Sequence, residues 1–402
     1  MATLHISNLT LTIYNHGIFV LMSAALSFLL IVWRFSLAEA GRSHHFEGPS
    51  SNPVKPHSIT IVGSGNFGSA IARLLGRNVL RSPKHFRSEV RMWVFEEELD
   101  DGRKLSDVIN ADHENVKYLP GIQLPTNVRA VPDLSDAVRN ASIVVFVLPH
   151  QFLPGLLPRI SSCLHRGAMA VSLVKGLDFD DEGPVLITDM IREGLGEDVS
   201  EVCVLMGANV ADEMARDEFC EATLGCPDPE GAGAVLQQLF DCPTFRVEVT
   251  PDPIGVELCG ALKNVVALAA GFCDGLDWGG NTKAAIIRRG LEEMRLFCKL
   301  LHPSVRDMTF FESCGVADLI TTCYGGRNRK CAETFARAGG TMAWDEIEKE
   351  ELGGQHLQGP QTTSKLHKVL EQKKWLSRFP LFRSVYQIAY QGRPPATLVQ
   401  DL

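Results

Sequence analysis

The feature that most limits the fold is a β-branched run that passes straight into a glycine triplet. Ser58–Val62 (SITIV) is followed at once by Gly63-Ser64-Gly65-Asn66-Phe67-Gly68, and then by the helical pattern Ser69–Leu75. Strand, G-x-G-x-x-G and helix in that order open a dinucleotide-binding βαβ unit. Gly63 permits a tight turn, Gly65 lets the backbone approach a pyrophosphate, and Gly68 lets helix and strand pack closely. The helix N-terminus then offers N–H groups and a positive dipole end to the phosphates. The alternative is a glycine-rich turn with a purely structural role. The motif in its setting predicts an α/β chain that begins with a Rossmann-type, doubly wound sheet.

Further strands follow at βαβ spacing. Val90–Phe95 ends in Glu96-Glu97-Glu98, where an acid is expected to hold the adenosine ribose. Glu96 lies 28 residues beyond Gly68, so an insertion around Asn78–Ser88 is needed; Arg103 is close enough to leave NAD against NADP less sharply decided. Ile143–Leu148 is apolar throughout, as a strand buried on both faces should be. Ligands of open α/β sheets sit beyond the carboxyl ends of strands. Phe152, Lys175 and Asn209 each stand just past such an end, and so does His150, which reads as a structural loop residue.

After Phe245–Thr250 the pattern turns helical. Gly255–Phe272 is almost wholly apolar and reads as a buried helix, interrupted by Glu257, Lys263 and Asn264. An unpaired buried ammonium costs several kcal/mol or loses its proton, so Lys263 must be paired or working. In Glu312–Lys330, Asp318 and Thr322 share a helical face, and Arg327-Asn328 follow the flexible pair Gly325-Gly326. Arg327, Arg329 and Lys330 read either as an anion grip or as a solvated loop. Gln355–Gln358 lies between glycines and reads as a loop able to close over a ligand. The expected organisation is an extension over 1–57, an NAD-binding domain over 58–250 and an all-α domain over 251–402.

Lys plus Arg number 39 and Asp plus Glu 48, a net charge of −9, which gives no global field for nucleic acid. Eleven cysteines without a C-x-x-C fit a reducing compartment better than a disulfide or zinc framework, and no metal is expected. Residues 1–33 hold no charged side chain, and 17–33 form an apolar run followed by Arg34. That run is short for a membrane span. It reads as an anchor, a cleaved targeting segment or an extension outside the fold. Membrane contact is expected only there, and 39–57 reads as a linker.

The blocks VGSGNFGSAIA (62–72), MWVFEE (92–97), HENVKYLPG (113–121), PHQF (149–152), MGAN (206–209), CGALKNVVA (259–267), NTKAA (281–285), ESCGVADLITTCYGGRNRK (312–330) and FPLF (379–382) occur in one order. Together they closely resemble the eukaryotic cytosolic NAD-dependent glycerol-3-phosphate dehydrogenases, from about Ser58 to beyond Tyr390. The resemblance implies a Rossmann domain joined to a helical domain, NAD as cofactor, a homodimer in the cytosol, and reversible reduction of dihydroxyacetone phosphate. It implies that Gly63, Ser64, Gly65, Asn66, Phe67 and Gly68 carry the pyrophosphate. Phe152, Lys175, Ala211, Arg327, His356 and Gln358 are implied to line the cofactor site. Lys263 is the implied catalytic lysine, with Lys175 and Asn209 around the carbonyl, Asp318 and Thr322 beside the lysine, and Arg327 and Asn328 on the substrate phosphate. Gly280 stands where the family usually has Asp, and His356 where animal members usually have Lys. Related two-domain dehydrogenases, or an NADH-binding sensor without catalysis, are the competing readings.

Overall fold

Eight strands between His57 and Thr250 form one mixed sheet. The elements run β1 (His57–Val62), α1 (Asn66–Arg81), β2 (Phe86–Trp93), α2 (Leu105–Asp112), β3 (Val128–Val131), α3 (Leu134–Val138), β4 (Ile143–Phe146), α4 (Leu153–Ser161) and β5 (Ala168–Ser172). A two-stranded ladder follows, β6 (Asp178–Phe179) with β7 (Pro184–Val185), and then α5 (Ile187–Leu195), β8 (Val199–Met206), α6 (Ala211–Ala215), β9 (Cys220–Gly225), α7 (Ala234–Phe240) and β10 (Phe245–Thr250). The main sheet is ordered β10-β9-β8-β5-β4-β1-β2-β3, parallel except where β8 meets β9. The six strands from the β3 edge, β3-β2-β1-β4-β5-β8, follow the doubly wound order, with the crossover point at β1 and β4. The computed structural model describes residues 55–176, 178–179, 183–353 and 357–402, and Lys55–Leu402 is one compact unit. The apolar run 17–33, nearly all of the linker, and His356 lie outside the described residues.

Continuous apolar runs explain the layering. β4 and β5 are buried at every residue, because helices cover both sheet faces. One face packs Ile71, Leu75 and Val79 of α1 with Leu236 and Phe240 of α7; the other packs Leu157, Ile160, Ile187 and Ile191. The expected insertion between α1 and β2 does not exist as a loop. The extra residues lengthen the helix to Arg81 and start the strand at Phe86.

Beyond Thr250 the chain is helical. α8 (Pro253–Gly275) is buried from Gly255 to Cys273. Among the described residues it is the one helix long and apolar enough to cross a membrane, and it lies wholly inside the protein. Around it pack α9 (Gly280–Leu301), α10 (Asp318–Gly325), α11 (Arg327–Arg337), α12 (Trp344–Leu352), α13 (Gln358–Gln372) and α14 (Pro380–Tyr390). Gly271 and Gly275 let α11 lie directly on α8: a Cβ at either would sit 2.2 Å from the Arg329 carbonyl or 2.5 Å from that of Glu333. Buried Glu257 of α8 joins this layer to the sheet layer. Its carboxylate accepts the backbone N–H groups of Ile187 and Thr188 and the Thr188 hydroxyl, capping α5.

Gly280 begins α9, whose first turn holds no acid, and a Cβ there would meet nothing within 4 Å. Gly280→Asp is expected to stabilise the protein by roughly 0.5–1.5 kcal/mol, from helix propensity and the favourable end of the dipole. The measurement is a urea midpoint at constant m-value. A lower midpoint would show that the backbone at 280 requires glycine.

Candidate active site

The dinucleotide loop has the shape that its glycines imply. Gly63 adopts φ 124°, and a Cβ there would lie 2.1 Å from the Val147 carbonyl oxygen. A Cβ at Gly68 would lie 2.3 Å from the Gly63 carbonyl, whereas one at Gly65 would meet nothing within 4 Å. The loop is therefore closed behind and open in front, where a pyrophosphate would approach. Gly65 caps α1 without a side-chain bond, so the first N–H groups of the helix face outward. The residues present fit a dinucleotide.

Side chains around this loop hold it in place. Buried Asn115 donates to the Ser64 carbonyl and the Ser69 hydroxyl, both at 2.8 Å. Asn66 donates its side-chain N–H groups to the Tyr118 carbonyl and to Asp212 of α6, so the N–H it can offer an anion is its backbone one. Arg73 clasps Asp217 bidentately, and with Arg77 beside it the Asp217 carboxyl falls to about 2. These bonds fix α6, whose first residue is Ala211, against α1. Asn115 belongs to the HENVKYLPG block, to which the sequence reading gave no role.

The acid expected on the ribose is otherwise engaged. Glu96 accepts from the Ser106 N–H at 3.1 Å and its hydroxyl at 2.6 Å, capping α2. Glu97 is bound by Tyr118 and Lys117. β2 ends at Trp93, and the residue left open beyond it is Phe95, 69% exposed. An exposed aromatic at a strand end, beside a dinucleotide loop, offers a stacking face. Sequence reading passed over it because a half-buried strand residue and an exposed one look alike in a short apolar run. Phe152 sits in the turn before α4, also more than half exposed.

The second centre is the lysine pair. Lys263 is buried in α8, and its ammonium donates to Asp318 Oδ1 at 2.5 Å. Lys175, beyond β5, stands 3.9 Å from the other oxygen of that carboxylate and 5.7 Å from the Phe67 ring centre. Thr322, one turn along α10, donates to Asp318 Oδ1 at 3.4 Å. Burial, and then the neighbouring Lys175 charge, push the Lys263 ammonium down to about 8, against the opposing pull of Asp318. Phe67 thus links the dinucleotide loop to the lysine pair.

A hydrogen-bonded ring supports the pair. Asn264 accepts from Asn328 at 3.1 Å, Asn328 accepts from the Gly359 N–H at 2.8 Å, and Gln358 donates to the Lys175 carbonyl at 2.8 Å. The Asn328 side chain is therefore committed at both ends. What it can offer an anion is its backbone N–H in the first turn of α11, which has no side-chain cap. Of the three cations there, Arg329 pairs with Asp274 and Glu333, and Lys330 with Glu351. Arg327 stands exposed at the helix start. Asn209 is tied to the Glu221 carbonyl of β9 at 2.9 Å rather than to the lysines. Among the described residues no group of three metal-ligating side chains occurs.

Comparison with known proteins matches both layers of the chain to one family. Family models for the NAD-dependent glycerol-3-phosphate dehydrogenase N-terminus and C-terminus match residues 58–232 and 252–400. Glycerol-3-phosphate dehydrogenase [NAD(+)] of Cuphea lanceolata is 52% identical over 358 residues, covering 89% of this chain and 94% of its own. The cytoplasmic enzyme of Rattus norvegicus is 53% identical over 337 residues, covering 84% and 94%. A solved glycerol-3-phosphate dehydrogenase from Saccharomyces cerevisiae superposes with TM-score 0.81 at 43% identity, covering 86% of this chain and 99% of that one. With both its sheet layer and its helical layer matched, the chain belongs to the NAD-dependent glycerol-3-phosphate dehydrogenase family and is an NAD-dependent oxidoreductase.

Proposed function

We propose that the chain reversibly reduces dihydroxyacetone phosphate to sn-glycerol 3-phosphate, with Lys263 giving and taking the proton at the substrate C2 oxygen. The observation that carries this reading is a buried lysine poised near 8 between a carboxylate and a second lysine. NAD, when bound, supplies or accepts the hydride. Gly63, Ser64, Gly65, Asn66, Phe67 and Gly68 would hold its pyrophosphate through backbone N–H groups, with Phe95, Phe152, Ala211 and Gln358 around the rest. The α11 N-terminus, with Arg327 and the Asn328 N–H, suits the substrate phosphate, remote from the reacting carbon. Lys263 and Lys175 place positive charge where the alkoxide develops, and Asp318 and Thr322 orient the Lys263 ammonium.

Position in the cytosol follows the rat and mouse relatives, which are named cytoplasmic. The homodimer rests on the family resemblance alone. The sensor reading loses ground because Lys263, Lys175 and Arg327 are all present.

The test is the pH dependence of both directions, followed at 340 nm. Reduction needs the ammonium, so its kcat/KM is expected to fall above about pH 8. Oxidation needs the amine and is expected to rise to a plateau above the same value. A well-folded, NADH-binding protein with no turnover in either direction would leave the sensor reading.

A further inference from the structure

We propose that Cys203 and Cys226 are a reversible dithiol–disulfide pair, whose oxidation staples the segment carrying Asn209 and Ala211. The two sulfurs lie 3.1 Å apart, and both residues are fully buried. Register explains why. β8 and β9 are antiparallel, with Val204 opposite Gly225, Leu205 opposite Leu224 and Met206 opposite Thr223. The next position outward along that register sets Cys203 opposite Cys226. Both share one sheet face with Leu205, Ala222 and Leu224. Residues directly opposite in an antiparallel pair have Cα atoms about 4.5–5.5 Å apart, inside the span that a disulfide bridges. Closing the bond asks the sulfurs to approach by about 1 Å, without strand separation.

The bond would close the loop 204–225. That loop carries Gly207-Ala208-Asn209 at the end of β8 and all of α6, including the Asp212 that holds Asn66. Access comes from one side. Cys226 is followed by the exposed Pro227 and Asp228, and its thiol donates to the Asp228 carbonyl at 3.2 Å. Opening that turn uncovers Cys226 while Cys203 stays behind it.

The oxidant class is a peroxide. The Cys226 thiolate attacks one peroxide oxygen, the O–O bond breaks, and a sulfenic acid and water form. The Cys203 sulfur then displaces hydroxide from that sulfenic acid, which leaves as water with the Cys203 proton. Two thiols are oxidised to one disulfide, and one hydrogen peroxide is reduced to two waters. A dithiol reverses the step.

The experiment treats the full-length protein with hydrogen peroxide, alkylates it under denaturing conditions and maps the peptides. The expected result is a cross-linked peptide joining Cys203 to Cys226, reversed by dithiothreitol and absent in Cys203→Ser and Cys226→Ser. In the oxidised protein, amide exchange over 207–219 slows and Tm rises by about 5 °C; neither occurs in the treated Cys203→Ser variant. Two alkylated peptides after peroxide, or a pairing elsewhere, overturn the dithiol. A cross-link that leaves exchange over 207–219 unchanged overturns the staple.

Discussion

Lys263→Ala is expected to lower kcat for dihydroxyacetone phosphate reduction by about 10³-fold or more, with NADH affinity held within a few-fold. A positioned acid contributes about 10²–10⁴-fold, and here the same group also carries charge facing the developing alkoxide. The separation of effects follows from where the groups sit. The dinucleotide loop is held by Asn115, Asp212 and its own glycines, none of which touches Lys263. Binding should therefore survive while proton transfer fails. Stopped-flow turnover and a fluorescence titration with NADH separate the two. An added primary amine, small enough for the vacated space, is expected to restore part of kcat and none of the NADH binding, which was never lost. A variant that keeps a tenth of the activity would move the acid elsewhere, with Lys175 first in line.

How far the site was legible depends on the kind of signal. Gly63, Gly65 and Gly68 were readable because each glycine answers a steric demand that no other residue meets. Lys263 was readable because a charge in an apolar helix has to be explained. The sheet followed from buried apolar runs, and its edges to within a few residues. Asp318 and Thr322 could be set on one helical face, but nothing local said which lysine they would meet, since that meeting spans 55 residues of sequence. Capping misled the reading. Glu96 follows a strand as a ribose acid should, yet an acid ahead of a helix start serves equally as its cap, and the α2 N–H groups took it. Asn66 and Asn328 were read as donors to ligands. Folding used their amides for Asp212 and Asn264; for half-buried Asn328 an unpaired amide would be costly, and for exposed Asn66 the Asp212 carboxylate outcompetes water.

Asp318→Asn should produce the second large effect, and its sign tests the electrostatics of the pair. In the native protein burial and Lys175 lower the Lys263 pKa, while Asp318 raises it, with the balance near 8. Removing the carboxylate removes the raising influence, so the Lys263 pKa falls below 8 and the descending limb for reduction moves to lower pH. Activity in the reducing direction at neutral pH drops, because a smaller share of Lys263 then carries the proton. Stability suffers too. Breaking a buried pair by truncating one partner costs about 3–5 kcal/mol, partly relieved as Lys263 sheds its proton. The linkage has a definite direction. The unfolded lysine keeps its proton to about 10.4, so the folded variant holds fewer protons than the unfolded chain once pH passes its own lowered pKa. Between that value and 8 the variant gains stability relative to the native protein, and its deficit in urea is smaller at pH 8.5 than at pH 6. A limb that moved alkaline, or a deficit that grew with pH, would mean that Asp318 acts on Lys263 through packing and not through charge.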